Sequence, residues 1–245
     1  MLKNSTIIIS FFLFVQIGFS QEIHQKWNEL LTKHVDKNGF VNYKSFIMDS
    51  NQLNIYLKKL ETQSPQKSWS KNEVMAFWIN AYNAFTVQLI LRNYPVKSIK
   101  DIGGKIPFVN STWDIKFIKI GNELLDLNNI EHTKLRKQFH DPRLHMVLVC
   151  ASKSCPVLRR EAFTAQRLFK QMDEQTKSFL KDPSRNSIKS SEAKLSMIFK
   201  WYGKDFKGKK GIVDFINKYQ EKKIDKKSKI SYLDYDWSIN ESPEK

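Results

Sequence analysis

Ser70–Asn93, SKNEVMAFWINAYNAFTVQLILRN, is the longest periodic stretch of the chain and decides how the rest must pack. Pro95 marks its end. Met75, Phe77, Trp78, Ile79, Tyr82 and Phe85, with the valine and leucines that follow, leave it almost no wet face. A helix that is apolar all round is a buried one. Asn80 and Asn83 lie one turn apart on one side of it. Buried amides must find hydrogen bonds, so the pair either braces a neighbouring loop or lines a cleft, and bracing is the commoner outcome.

Upstream, Gln21 to Val35 reads as an amphipathic helix, and Asn51 to Glu61 as a short one. Between them, Asp36-Lys37-Asn38-Gly39 resembles the middle of a calcium loop. The first and twelfth ligand positions would fall on His34 and Ser45, where carboxylates are needed. An Asn-Gly turn leading into a short strand, Phe40 to Tyr43, explains the same residues.

Downstream, Ile99 to Asn110 reads as a loop and Trp113 to Leu127 as a hairpin turning at Gly121-Asn122. A helix over Asn129–Gln138, capped by Asp126 or Asn128, carries Glu131, His132 and Arg136. In HDPRLHMVLVCASKSCP, His140–Pro156, an Asp-Pro turn precedes an apolar strand from about Leu144 to Ala151, and a polar loop with both cysteines follows. Helices are expected over Thr164–Leu180, Phe199–Phe206 and Ile212–Tyr219, and strands over Ile188–Ile198 and Ile230–Trp237. Helices and strands interleave without a βαβ repeat. The expected fold is α+β, a single domain over residues 21–245 in which the long buried helix packs on a small mixed sheet.

Residues 1–20 read as a secretory leader: Lys3, an apolar run Ile7–Val15, and small residues before a cleavage point at Gln21. The run is too short to span a bilayer, and no later one is expected to span. The protein is expected to be exported, periplasmic or extracellular. The formal charge is +16, and loss of Lys3 leaves +15. Lysines crowd into Lys200–Lys210 and Lys218–Lys229. Outside the cytoplasm such a face meets anionic glycans or lipid head groups rather than nucleic acid, and a solvated lysine-rich face is a commoner explanation than either.

Several blocks, in order, look familiar: AFWINAYNAFTVQLILRNYPVKSIKDI, LNNIEHTKLR, DPRLHMVLVCASKSCPVLR, LSMIFKWYGKDF and YLDYDWSIN. Together they resemble the family catalogued as domain of unknown function 547, over roughly Lys71 to Asn240. The resemblance implies a bacterial envelope or eukaryotic protein and carries no established activity or site residues. A loose likeness to papain- or transglutaminase-type thiol enzymes goes with it.

No P-loop, G-x-G-x-x-G, G-x-S-x-G, H-E-x-x-H or C-x-x-C is present. The constellation that remains is a thiol with imidazoles nearby. A cysteine attacks a carbonyl as thiolate, which a cation, an imidazole or a helix N-terminus favours. Cys155 lies near Lys153, Arg159 and Arg160, and His132 on the preceding helix can reach the same end of the strand. Glu131, about 100° round that helix, is left for Arg136, Arg143 or substrate. His145 and Cys150 differ by an odd number, so an unbroken strand points them to opposite faces and His145 reads as a core histidine. His132, His140, Cys150 and Cys155 match no zinc spacing, so no metal or cofactor is expected.

The first expectation is a thiol-dependent hydrolase or acyltransferase acting on a peptide or amide in the cell envelope. Cys155 is the nucleophile with Cys150 in reserve, and His132 is the base. Asn80, Asn83, Arg143 and Glu131 contact substrate. The alternative is a non-catalytic module stapled by a Cys150–Cys155 disulfide, the default for neighbouring cysteines in an oxidising compartment, which binds an anionic glycan, peptide or partner.

Overall fold

Ser70 opens the central helix by a capping box: its N–H donates to Glu73 Oε2 at 2.8 Å, and its hydroxyl accepts from the Glu73 N–H at 3.3 Å. The computed structural model describes residues 19–103, 111–221 and 223–243. Residues 1–18 of the expected leader and residues 104–110 of the expected loop lie outside them.

Four helices open the fold: α1 (Phe19–His34), α2 (Tyr43–Met48), α3 (Ser50–Thr62) and α4 (Lys71–Asn93). Helix α4 is long and apolar enough to cross a membrane, yet 89% of its most apolar stretch is buried inside the protein. It packs chiefly against α1, α2, α3 and the helix at Asn129–Arg136. Trp27 stacks on Tyr56 at 5.9 Å in this layer, and Phe46 and Phe77 are wholly buried beside them. Each such ring contributes about 2–3 kcal/mol by leaving water. At the α1–α2 turn Gly39 has φ +81°, and a Cβ there would stand 2.4 Å from that of Val157, so only glycine fits.

Strands β1 (Ile118–Ile120) and β2 (Glu123–Leu125) form the expected hairpin about Gly121. Asp126 Oδ1 then takes the Asn129 N–H at 2.6 Å and starts the next helix. That helix is π over Asn129–Arg136 and ends in one α turn, α5 (Lys137–Phe139). Helix α6 (Leu168–Lys181) follows, then β3 (Ser187–Ile188), β4 (Glu192–Leu195), α7 (Met197–Trp201), α8 (Gly208–Tyr219) and β5 (Lys229–Tyr232). The sheet β3-β4-β5 pairs its first two strands antiparallel and its last two parallel.

The fold is α+β, but the long helix does not lie on the mixed sheet. The sheet belongs to a second, smaller core with Phe199, Ile212, Val213 and Ile216, while α4 sits in a mostly helical core. The reason is shape: α4 is buried on nearly every side and needs more cover than a three-stranded sheet of such short strands offers.

The expected strand Leu144–Ala151 does not form. Pro142–Met146 is a 3₁₀ helix, and the chain beyond it is irregular. Its backbone is satisfied by side chains in place of a partner strand. Asn83 donates to the Val147 carbonyl at 3.0 Å and accepts the Val149 N–H at 2.9 Å. The Cys150 N–H donates to Cys155 Sγ at 2.9 Å. A short apolar run can be buried in either way, and periodicity does not separate them. Leu144 and Val147 belong to the larger core and Met146 to the smaller, so this segment stitches the two together.

Candidate functional site

A cleft of about 240 Å³ opens where the two cores meet, with Leu148 and Cys155 on one side and Ile198 on the other. Cys150, His145, Glu131, Tyr82, Tyr202 and Tyr235 also line it. Tryptophans 113, 201 and 237 complete the wall, and Tyr235 and Trp237 lie 4.5 Å apart between ring centres.

Both cysteines are free thiols, so the structure holds no staple between them. Their environments differ. Cys155 is 3% exposed; its sulfur accepts the Cys150 N–H and donates to the Leu148 carbonyl at 3.7 Å. Burial pushes its pKa well above that of an ordinary thiol. Cys150 is half-buried, with Ser152 Oγ at 3.2 Å and the Tyr235 hydroxyl at 3.4 Å. The Cys155 thiol first, then those two hydroxyls, hold its pKa down to about 7 against the burial that would raise it. The more acidic and more accessible sulfur is thus Cys150, expected only in reserve. The cations expected to activate Cys155 are committed elsewhere: Arg159 to Glu161 and Glu174, Arg160 to the Thr32 carbonyl.

The loop that presents the sulfur is held from several sides. Ala151 has φ +58° and is 1% exposed, a left-handed backbone that costs an alanine about 1 kcal/mol and persists only when its surroundings impose it. The Asn240 N–H donates to the Ala151 carbonyl at 3.0 Å, and the Lys153 N–H to the Ser238 carbonyl at 2.8 Å. This carboxy-terminal run brings Tyr235 to Cys150. Arg185, 7% exposed, donates to the Cys155 and Lys153 carbonyls, each at 2.7 Å, and pairs with Asp182. Arg185→Ala leaves both carbonyls without their donor and Asp182 without its cation. We expect a loss of about 2–3 kcal/mol in a urea unfolding series, with Cys155 becoming open to alkylation. Unchanged stability would mean that the guanidinium does not hold the loop.

The remaining expected residues separate into two groups. Glu131 lines the cleft, 6% exposed, and accepts the hydroxyl of Tyr82 at 3.3 Å; neither Arg136 nor Arg143 pairs with it. His132, the expected base, is exposed, with Nδ1 2.5 Å from Arg136, and is not among the residues lining the cleft. Arg143 is spent on Asp141 at 2.5 Å and Asp173 at 2.7 Å, away from the cleft. Asn80 holds the Phe163 N–H and carbonyl at 3.0 and 2.8 Å, and Asn83 holds Val147 and Val149, so both amides brace loops and neither lines the cleft.

The imidazole in the cleft is His145. The strand parity that placed it opposite Cys150 does not apply to a 3₁₀ turn followed by irregular chain. His145 stacks on Tyr202 at 3.9 Å, and its Nε2 lies 2.7 Å from Asp205 Oδ2. Burial lowers its pKa, partly offset by Asp205. Asp205 in turn takes Arg136 at 2.7 and 3.0 Å, which holds its carboxyl below the usual range. The groups that sequence reading missed, Tyr235, Tyr202, Asp205 and Arg185, lie far along the chain from those they touch.

Residues 66–180 match the model of a family described as "Protein of unknown function, DUF547", which includes Glu131, His145 and both cysteines and stops short of Tyr202, Asp205 and Tyr235. No curated protein and no solved structure matches the chain.

Proposed function

Since the chain belongs over residues 66–180 to the DUF547 family, whose description names no activity, we propose from its own geometry a thiol-dependent hydrolase or acyltransferase with Cys150 as nucleophile. One observation carries the reading: a half-buried sulfur with two hydroxyls beside it opens into a walled cleft that an Asp-held imidazole also lines. Nucleophile, base and orienting carboxylate are the parts that acyl transfer needs.

In this reading Cys150 passes its proton to His145 and the thiolate adds to the carbonyl carbon of an amide or ester. The tetrahedral adduct collapses to a thioester, and the leaving group takes a proton from His145. Water, or an amine in a transferase, then attacks the thioester and gives its proton to His145. Asp205 fixes the ring and stabilises the imidazolium while it holds the proton within each step. Export by the leader over residues 1–20 goes with this reading and sets the substrate, a peptide or amide, outside the cytoplasm.

p-Nitrophenyl acetate tests it. An initial burst of nitrophenol and an acetyl group on the Cys150 peptide by mass spectrometry are expected. His145→Gln should slow turnover by roughly 100-fold with the native circular-dichroism spectrum retained. Acetylation confined to lysines, or turnover unaltered in Cys150→Ser, would refute the assignment.

A further inference from the structure

We infer that the cleft seats a positively charged organic group, a primary or quaternary ammonium, between the Glu131 carboxylate and the rings of Trp201, Tyr235 and Trp237. This names the substrate class of the thiol site and rests on that reading for its consequence, though the binding stands by itself.

The charge distribution argues for it first. The chain carries 41 lysines and arginines against 25 acids, yet among the described residues no lysine or arginine lines the cleft and Glu131 is its one carboxylate. In so basic a protein, a cleft whose lining carries a carboxylate and no cation suits a cation better than an anion.

The state of Glu131 argues next. Its side chain is almost wholly buried, it accepts the Tyr82 hydroxyl at 3.3 Å, and it makes no ion pair among the described residues. A carboxylate withdrawn from water costs several kcal/mol unless a cation compensates it. Arg136, the cation whose field reaches it, is fixed to Asp205. A purely apolar ligand would dry the carboxylate further and leave it uncompensated.

The rings supply the rest. Trp201 lies 4.8 Å from Tyr235 and 5.6 Å from Trp237 between centres, and aromatic faces attract ammonium groups through their quadrupoles. The protein's own cations show this attraction here: Lys100 Nζ sits 5.0 Å over the Trp237 ring, and Arg136 4.9 Å over Tyr202. An acid at the base and aromatic faces on the wall are the two elements that ammonium recognition uses.

Tryptophan fluorescence of the full chain, titrated at constant ionic strength with choline and with its uncharged isostere 3,3-dimethylbutan-1-ol, tests the seat. Choline should quench saturably at roughly tenfold lower concentration than the isostere. Glu131→Gln should bring the two together, and Trp237→Leu, which keeps apolar volume but removes a ring, should weaken choline more than the isostere. Equal affinities in the wild type, or no saturable choline effect, overturn the inference without recourse to any variant. The rate of Cys150 alkylation, measured in parallel, separates the two readings. A slow, ordinary thiol with a strong choline preference removes the nucleophile and keeps the seat; a fast thiol with no choline preference does the reverse.

Discussion

Iodoacetamide is expected to modify the native chain at Cys150 and to spare Cys155, at a rate that climbs through about pH 7. The sign follows from the acidity. A thiol held below its ordinary value of about 8.5 is half thiolate near pH 7, where an unperturbed one is only a few per cent ionised, and the thiolate is the form that reacts. Raising the pH therefore speeds modification until the sulfur is fully ionised, and lowering it slows the reaction. Cys150→Ser should cut total modification by roughly 100-fold. Tyr235→Phe removes one hydroxyl from beside the sulfur and should move the midpoint up by about half to one pH unit. The pH profile of alkylation, with the adduct mapped by mass spectrometry, gives both results. An adduct on Cys155, or a midpoint in the ordinary thiol range, would defeat the assignment of the reactive sulfur.

The second large effect is on stability. Asn83→Ala orphans the Val147 carbonyl and the Val149 N–H, both in buried chain. At about 1–3 kcal/mol for each unsatisfied group, less what local water recovers, the expected loss is about 3 kcal/mol. Urea unfolding should show a lower midpoint at an unaltered slope. Asn83→Asp should be no better, because it keeps an acceptor for Val149 but loses the donor to Val147 and brings a charge into the core. A change below about 0.5 kcal/mol in Asn83→Ala would return this amide to the substrate-contact role that its position on the helix also allowed.

The longer helices were legible in the sequence because their signal is local. The short α2, read as the end of a strand, and α7, expected over Phe199–Phe206 and found at Met197–Trp201, were not. Ser70, the apolar run that follows it and Pro95 define α4 without reference to any other segment. Asn80 and Asn83 were legible as buried amides, and their bracing role was the commoner of two readings. The segment Leu144–Ala151 was not legible. An apolar run whose backbone is satisfied by the side chain of Asn83 and the sulfur of Cys155 has the composition of a strand and lacks its ladder. That one misreading set His145 on the wrong face and left His132 as the nearest imidazole. At the site, residue types pointed to the thiol loop, but what distinguishes Cys150 from Cys155 is contact with Ser152 and Tyr235, and Tyr235 belongs to a distant segment. Arg185, in a polar stretch after α6, carries no mark in sequence that separates it from a solvated arginine.

Tyr235 stands 85 residues beyond the sulfur it touches. A ribosome adds residues in order, so at about 5–20 residues per second Cys150 exists for roughly 4–17 s before that tyrosine is even made. Through that interval the sulfur lacks the Tyr235 hydroxyl. That contact waits until the later segment has been threaded between Lys97 and Ala151, where Ile239 and Asn240 donate to their carbonyls. The full set of contacts around the sulfur is thus a property of the finished fold.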